Sequence, residues 1–161
     1  MTQYPDPCRP DIVLHTQRLL NSFRRWTGRE LLPRSGSPED QSRALFQAPF
    51  VVVSDGTQPD PILNYGNAAA LELWQMSFEQ LTSIPSRQTA EPVHQAERAR
   101  LMAEVTRNGF IADYKGIRIA STGRRFAIER AIVWIVTDEQ QQIIGKAATF
   151  DAWTFLDEKK K

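Results

Sequence analysis

The sequence predicts an α+β domain: a five-stranded antiparallel sheet with helices on one face, plus an N-terminal helical extension. Three observations carry this. A short β-branched run, "FVVVSDG", and a second short strand, "ILNYGN", come before a cluster of helical segments. The chain then ends in a three-strand meander, "DYKGIRIAS", "RRFAIERAIVWIV" and "QQIIGKAATF", with turn signals at Thr122-Gly123 and Thr137-Asp138. A lone two-strand hairpin is barely stable, so hairpin and meander must share a sheet, which packed helices then bury.

Each element has its own signal. After a polar opening, Ile12, Leu19, Phe23 and Trp26 recur at offsets that place one apolar stripe on a helix of about four turns. Pro10 suits its first turn and Gly28 its end. "LLPRSGSP" is a linker by composition. Ser37 then caps a short helix that opens on Pro38. Asn67 caps "AAALELWQM", and Ser77 with Gln80 forms a capping box for a further turn. A long helix begins between Ala90 and His94 and ends at Asn108-Gly109.

The middle strand of the meander has two possible buried faces. One register turns Phe126, Ile128, Ile132 and Trp134 inward and leaves Arg130 as the misfit. The other turns Ala127, Ala131, Val133 and Ile135 inward and leaves Glu129 as the misfit. A one-residue slip exchanges the faces, and a bulge uses both.

Composition narrows the function classes. The chain has 161 residues, 41% apolar and 24% charged, with a formal net charge of +1. That is one domain of ordinary globular mix without a nucleic-acid binder's basic footprint. Lys159, Lys160 and Lys161 read as part of a solvated tail, 157–161. One cysteine, Cys8, allows no internal disulfide, and one Cys with two His argues against a zinc site. No signal-peptide core and no long apolar span is present. A cytoplasmic protein with no membrane or nucleic-acid partner is expected.

The blocks "ILNYGNAAALELW", "PSRQTAEPVHQAERARL" and "DYKGIRIASTGRRFAIERAIVW" arrive in an order that resembles the MEKHLA domain, a PAS-related family. The likeness runs from about Phe50 to Phe155. It implies an extension over 1–48, a PAS-like domain over 49–156, and a sensory or regulatory module like the stand-alone bacterial members. The plant members carry a homeodomain and zipper, which are absent here. The family has no established catalytic residues to carry over.

The resemblance frames the site. A curved sheet facing short helices leaves room for a pocket, and Tyr65, Leu73, Trp74, Met76, Leu101, Tyr114, Phe126, Ile128 and Trp134 are the candidate lining. Each is equally explained as core. Arg87 either meets an anionic ligand group or pairs with Glu91 or Glu72 as scaffold. Thr89 is a candidate cap for the long helix. Asn64 either bonds a ligand or makes a turn-type bond. Ser86, Glu91 and His94 are the right types for a hydrolase, but no nucleophile elbow or oxyanion loop accompanies them. No enzyme activity is therefore expected. No cofactor is expected either. Haem held by His94 is the alternative, set against a histidine that merely starts a helix, and a flavin photosensor needs a cysteine that Cys8 does not supply.

The leading expectation is a module that binds a small apolar molecule or a protein partner and signals through its N-terminal helix. Ile12, Leu19, Phe23 and Trp26 would then form a homodimer interface. Otherwise this helix folds back over the sheet. The rival is a small NTF2-like enzyme acting on an apolar substrate, with Asp113 and Tyr114 nearest to its usual buried Asp/His or Tyr pair. Strand order separates the two: a central first strand paired with the last favours PAS.

Overall fold

The computed structural model describes residues 4–90 and 95–156, with backbone alone for 95–98. The elements are α1 (Pro10–Thr27), α2 (Pro38–Phe46), β1 (Val51–Asp55), β2 (Leu63–Gly66), α3 (Ala68–Trp74), α4 (Phe78–Leu81), a 3-10 turn (Ser86–Thr89), α5 (Gln95–Asn108), β3 (Phe110–Ile119), β4 (Arg125–Thr137), β5 (Ile143–Phe150) and β6 (Ala152–Phe155). The sequence signals place their ends. Gly28 adopts the left-handed conformation after α1 and donates to Arg24 O. Ser37 and Asp40 cap α2 reciprocally, as Ser77 and Gln80 cap α4. The start of the long helix, with Glu91, Pro92 and His94, lies outside the described residues, as does the tail 157–161.

One antiparallel sheet runs in the order β2-β1-β5-β4-β3. β1 sits inside it between β2 and β5, which is the PAS order and overturns the NTF2-like alternative. A sixth strand extends the five expected. β6 pairs with β4 in the same register as β5, since Ile132 faces Thr149 and Glu129 faces Ala152. β6 thus continues β5 past a break at Asp151.

The ambiguity in β4 resolves as a bulge. Arg130 takes a positive φ of 55°, unusual for a residue with a side chain, and β3 slips against β4 at the same place. Glu129 and Arg130, the misfits of the two registers, are both exposed there and pair at 3.6 Å. Before the bulge Ile128, and after it Val133, line one cavity. Trp134 points to the opposite face. There its Nε1 donates to Leu19 O at 3.3 Å, and its ring meets Phe23 edge-on at 4.9 Å. Both faces of β4 are buried because helices cover both.

This corrects the expected dimer interface. Ile12, Leu19 and Phe23 are buried inside the chain and Trp26 packs against the same core. The stripe covers the sheet instead of facing a second copy. Ser22 Oγ accepts from Thr137 N at 2.9 Å, and Trp26 Nε1 donates to Ile135 O at 2.8 Å. Gly109 completes the seat. Its φ is +89°, and a Cβ there would fall on the Trp26 ring, so glycine alone ends α5 and admits α1.

Asn67 joins the layers. It is fully buried. Its Oδ1 accepts from Ala70 N at 3.2 Å, the expected cap, and from Val52 N at 3.1 Å. Its Nδ2 donates to Leu45 O at 3.0 Å and Phe50 O at 2.9 Å.

Candidate functional site

The sheet face opposite α1 holds the inner cavity. β1 contributes Val53 and Asp55, β2 Leu63, α3 Trp74, the 3-10 turn Ser86 and Thr89, and α5 Met102. β3 adds Tyr114 and Arg118, β4 Ile128 and Val133, and β5 Lys146, Ala148 and Phe150. The alternation of "VVVSD" aims Asp55 the same way as Val53, and that of "GKAATF" aims Lys146 with Ala148. Lys146 Nζ lies 3.6 Å from Asp55 Oδ1, and Lys146 N donates to the same oxygen at 3.3 Å. The cavity measures about 80 Å³.

Two buried donors on this wall, Trp74 Nε1 and Ser86 Oγ, have no hydrogen-bond partner among the described residues. Trp74 is 2% exposed and Ser86 8%. Unpartnered buried donors are rare, because each forfeits about 1–3 kcal/mol of solvation. Trp74 is held by edge-on contacts with Phe126 at 5.4 Å and Phe150 at 6.2 Å. Ser86 is fixed by its own N–H, which donates to Pro61 O at 2.8 Å, and by Thr89 Oγ1, which donates to Ser86 O at 2.7 Å. Thr89 therefore closes the 3-10 turn; the expected cap on the long helix falls on a helix start outside the described residues.

Of the expected lining, Trp74, Tyr114 and Ile128 reach this cavity. Phe126 lies behind Trp74, and Trp134 lies on the α1 face. Leu101 packs in a cluster with Val105 and Val133, and its neighbour Met102 faces the cavity. Leu73 and Met76 line separate open surface grooves. Tyr65 is buried between His15, at 5.8 Å, and Phe78, at 6.4 Å. Arg87 pairs with Asp60 at 3.0 Å, the two side chains being 63% and 50% exposed. Its partner among the described residues is thus Asp60 and not Glu72, Glu91 lying outside them, and such exposed pairs contribute at most about 1 kcal/mol. The residues that sequence reasoning missed, Asp55, Lys146 and Arg118, carried one available signal: charge at an inward position of a strand. His94 and Glu91 lie outside the described residues, so of the hydrolase trio only Ser86 is placed.

A second polar cluster ties α1 to the sheet. His15 Nε2 lies 2.8 Å from Ser54 Oγ, which donates to Asn64 Oδ1. Asn64 is spent here, on a neighbouring strand. Burial, reinforced by the Arg18 charge and opposed by Asp11, lowers the His15 pKa to about 4. The ring is half-buried. The folded state therefore favours the neutral ring, and this contribution is complete above an unfolded pKa of about 6.5. It is lost as pH falls from there towards 4. Allowing for solvent screening, the loss is about 1–2 kcal/mol. Urea midpoints at pH 7, 5.5 and 4 should fall more steeply for the native chain than for His15→Gln. Equal slopes would contradict it.

The inner cavity, the strand order and the helices covering it define a PAS-type domain. The chain belongs to the MEKHLA domain family, whose model matches residues 13–155 and so takes in most of α1 and all of α2. Among curated relatives it is 23% identical over 149 residues to the homeobox-leucine zipper protein ATHB-15 of Arabidopsis thaliana, covering 91% of this chain and 18% of that protein. Among solved structures it resembles the PAS domain of a protein from Colwellia psychrerythraea. The TM-score is 0.62 at 15% identity, covering 73% of this chain and 95% of that one. An RNA-binding light-oxygen-voltage receptor matches with a TM-score of 0.58 at 19% identity, covering 79% of this chain and 34% of that chain. A flavin does not fit the residues present. Cys8, the chain's one cysteine, lies before α1 with its Sγ beside Arg43 on α2, and about 80 Å³ is well short of a drug-sized site. No helix among the described residues is long and apolar enough to cross a membrane.

Proposed function

We propose that the chain is a sensory or regulatory module in which the state of the inner cavity sets how firmly α1 docks on the far side of β4. The observation that carries this is the two-sidedness of β4. Val133 lines the cavity, and Trp134, the next residue, holds Leu19 and Phe23 of α1. Ile135 extends the link: its C=O accepts from Trp26 and its N–H donates to Gly109 O at 2.9 Å, at the end of α5. A shift of β4 by a few tenths of an ångström would be felt at both ends, because packed cores transmit strain.

The apolar ligand expected from sequence is revised on two counts. A volume of about 80 Å³ lies below the ~300 Å³ of ordinary ligand pockets. The wall also carries charged and unpartnered polar groups. The same volume supports a second reading: a protein-interaction module whose cavity holds only water. Ala148 faces Val133 across the ladder, so Ala148→Val puts two methyl groups into the cavity without a ligand. Amides from Leu19 to Trp26 should then exchange with solvent at least about five-fold differently, beyond any change at β1 amides. Equal changes in α1 and β1 would mean global destabilisation alone and would refute the route through β4.

A further inference from the structure

We propose that the occupant of the inner cavity is a small organic monoanion, a short-chain carboxylate of acetate to butyrate size, with its oxygens on Trp74 Nε1 and Ser86 Oγ. The proposal rests on reading the cavity as a ligand site and adds the chemical class. Three observations converge on it. First, both unpartnered groups can donate, and Trp74 Nε1 can only donate, so the missing partner carries acceptors. Second, the charge on the wall is unbalanced. Lys146 and Asp55 offset each other. Arg118 has no carboxylate partner among the described residues: its guanidinium donates to the Tyr114 hydroxyl and the Ile117 carbonyl, both at 3.1 Å, and lies over the Tyr114 ring at 5.5 Å. Among the described residues the partly buried wall thus carries one net positive charge, which favours a single negative charge on the occupant. Third, Val53, Leu63, Met102 and Val133 are among the apolar residues of the lining. They suit a short alkyl tail, while about 80 Å³, near the share of three liquid waters, excludes a long one.

Few ligand atoms limit the affinity. At the ceiling observed for the smallest ligands, the four non-hydrogen atoms of acetate give a Kd no tighter than about 40 μM and the five of propionate one no tighter than about 3 μM. The test is a titration of the full chain with sodium acetate, propionate and butyrate, compared with chloride at equal ionic strength. It is read on the indole N–H resonances of the four tryptophans. The Trp74 resonance should move saturably, with a Kd between about 3 μM and a few mM. Trp26 and Trp134, whose indoles already donate to Ile135 O and Leu19 O, should move less. Calorimetry should show binding weakened at least about ten-fold in Trp74→Phe, which keeps an aromatic ring, and likewise in Arg118→Gln. No saturable shift at about 50 mM, a shift reproduced by chloride, or unchanged binding in both variants overturns the proposal. So does propionamide binding as tightly as propionate. Failure here is separable from failure of the signalling route, since Ala148→Val tests that route with no ligand present. A response of α1 in that variant without carboxylate binding would remove the ligand class alone.

Discussion

Replacing Asn67 by alanine should lower the stability of the fold by about 3–5 kcal/mol. The loss of an N-cap alone accounts for about 1 kcal/mol. The remainder comes from Val52 N, Leu45 O and Phe50 O, which lose the partners Asn67 provides. Each buried group left unpaired costs about 1–3 kcal/mol, less where the backbone relaxes. For a domain of this size the melting temperature should fall by roughly 8–15 °C. Asn67→Asp isolates the reason. Aspartate caps a helix as well as asparagine does, but it cannot donate, and it would set a carboxylate against the Leu45 and Phe50 carbonyls. The variant should therefore be at least as unstable as Asn67→Ala near neutral pH. A near-native melting point for Asn67→Asp would reduce Asn67 to a cap.

Asn67 also shows where sequence reading ran out. The cap was legible because its partner, Ala70, is three residues away and the rule is local. The bonds to Leu45, Phe50 and Val52 span 15 to 22 residues and exist only once α2, β1 and α3 have met. The same divide runs through the molecule. Gly28, Ser37, Ser77 and Gly109 mark element ends through backbone chemistry that acts within a turn. The stripe on α1 was legible as a stripe, but what it covers was not, since periodicity reports a buried face without naming the surface opposite. The bulge in β4 was half-legible. Two registers that each strand one charged residue point to a slip between them, and Arg130 is where it falls. The inner site was the least legible part. Its charged members sit on β1, β3 and β5, and only the sheet order brings them together. Large aromatics drew attention as candidate lining, yet in a small cavity most aromatics are wall fillers, and the small Ala148 leaves the space.

Phe23→Ala is the second large effect, and it decides how α1 is used. The side chain is fully buried, with its ring edge-on to Trp134, so truncation should cost about 3–5 kcal/mol. The contact sits between two anchors, the Trp134 bond to Leu19 O and the Trp26 bond to Ile135 O. Loosening it should raise amide exchange along α1 and shift the emission of Trp134 to longer wavelength. Leu14 lies on the same helix but is 46% exposed, so Leu14→Ala should change stability by no more than about 0.5 kcal/mol. Protein concentration separates the two uses of the stripe. When Phe23 is core within one chain, the fall in melting temperature, roughly 8–15 °C, is the same at 5 μM as at 500 μM, values chosen two decades apart for the experiment. When Phe23 holds two copies together, the native melting temperature itself rises with concentration, and the variant loses that rise through mass action. A concentration-independent loss would place α1 on its own sheet, where it can answer to the cavity across β4. A concentration-dependent one would return the stripe to a dimer and break that link.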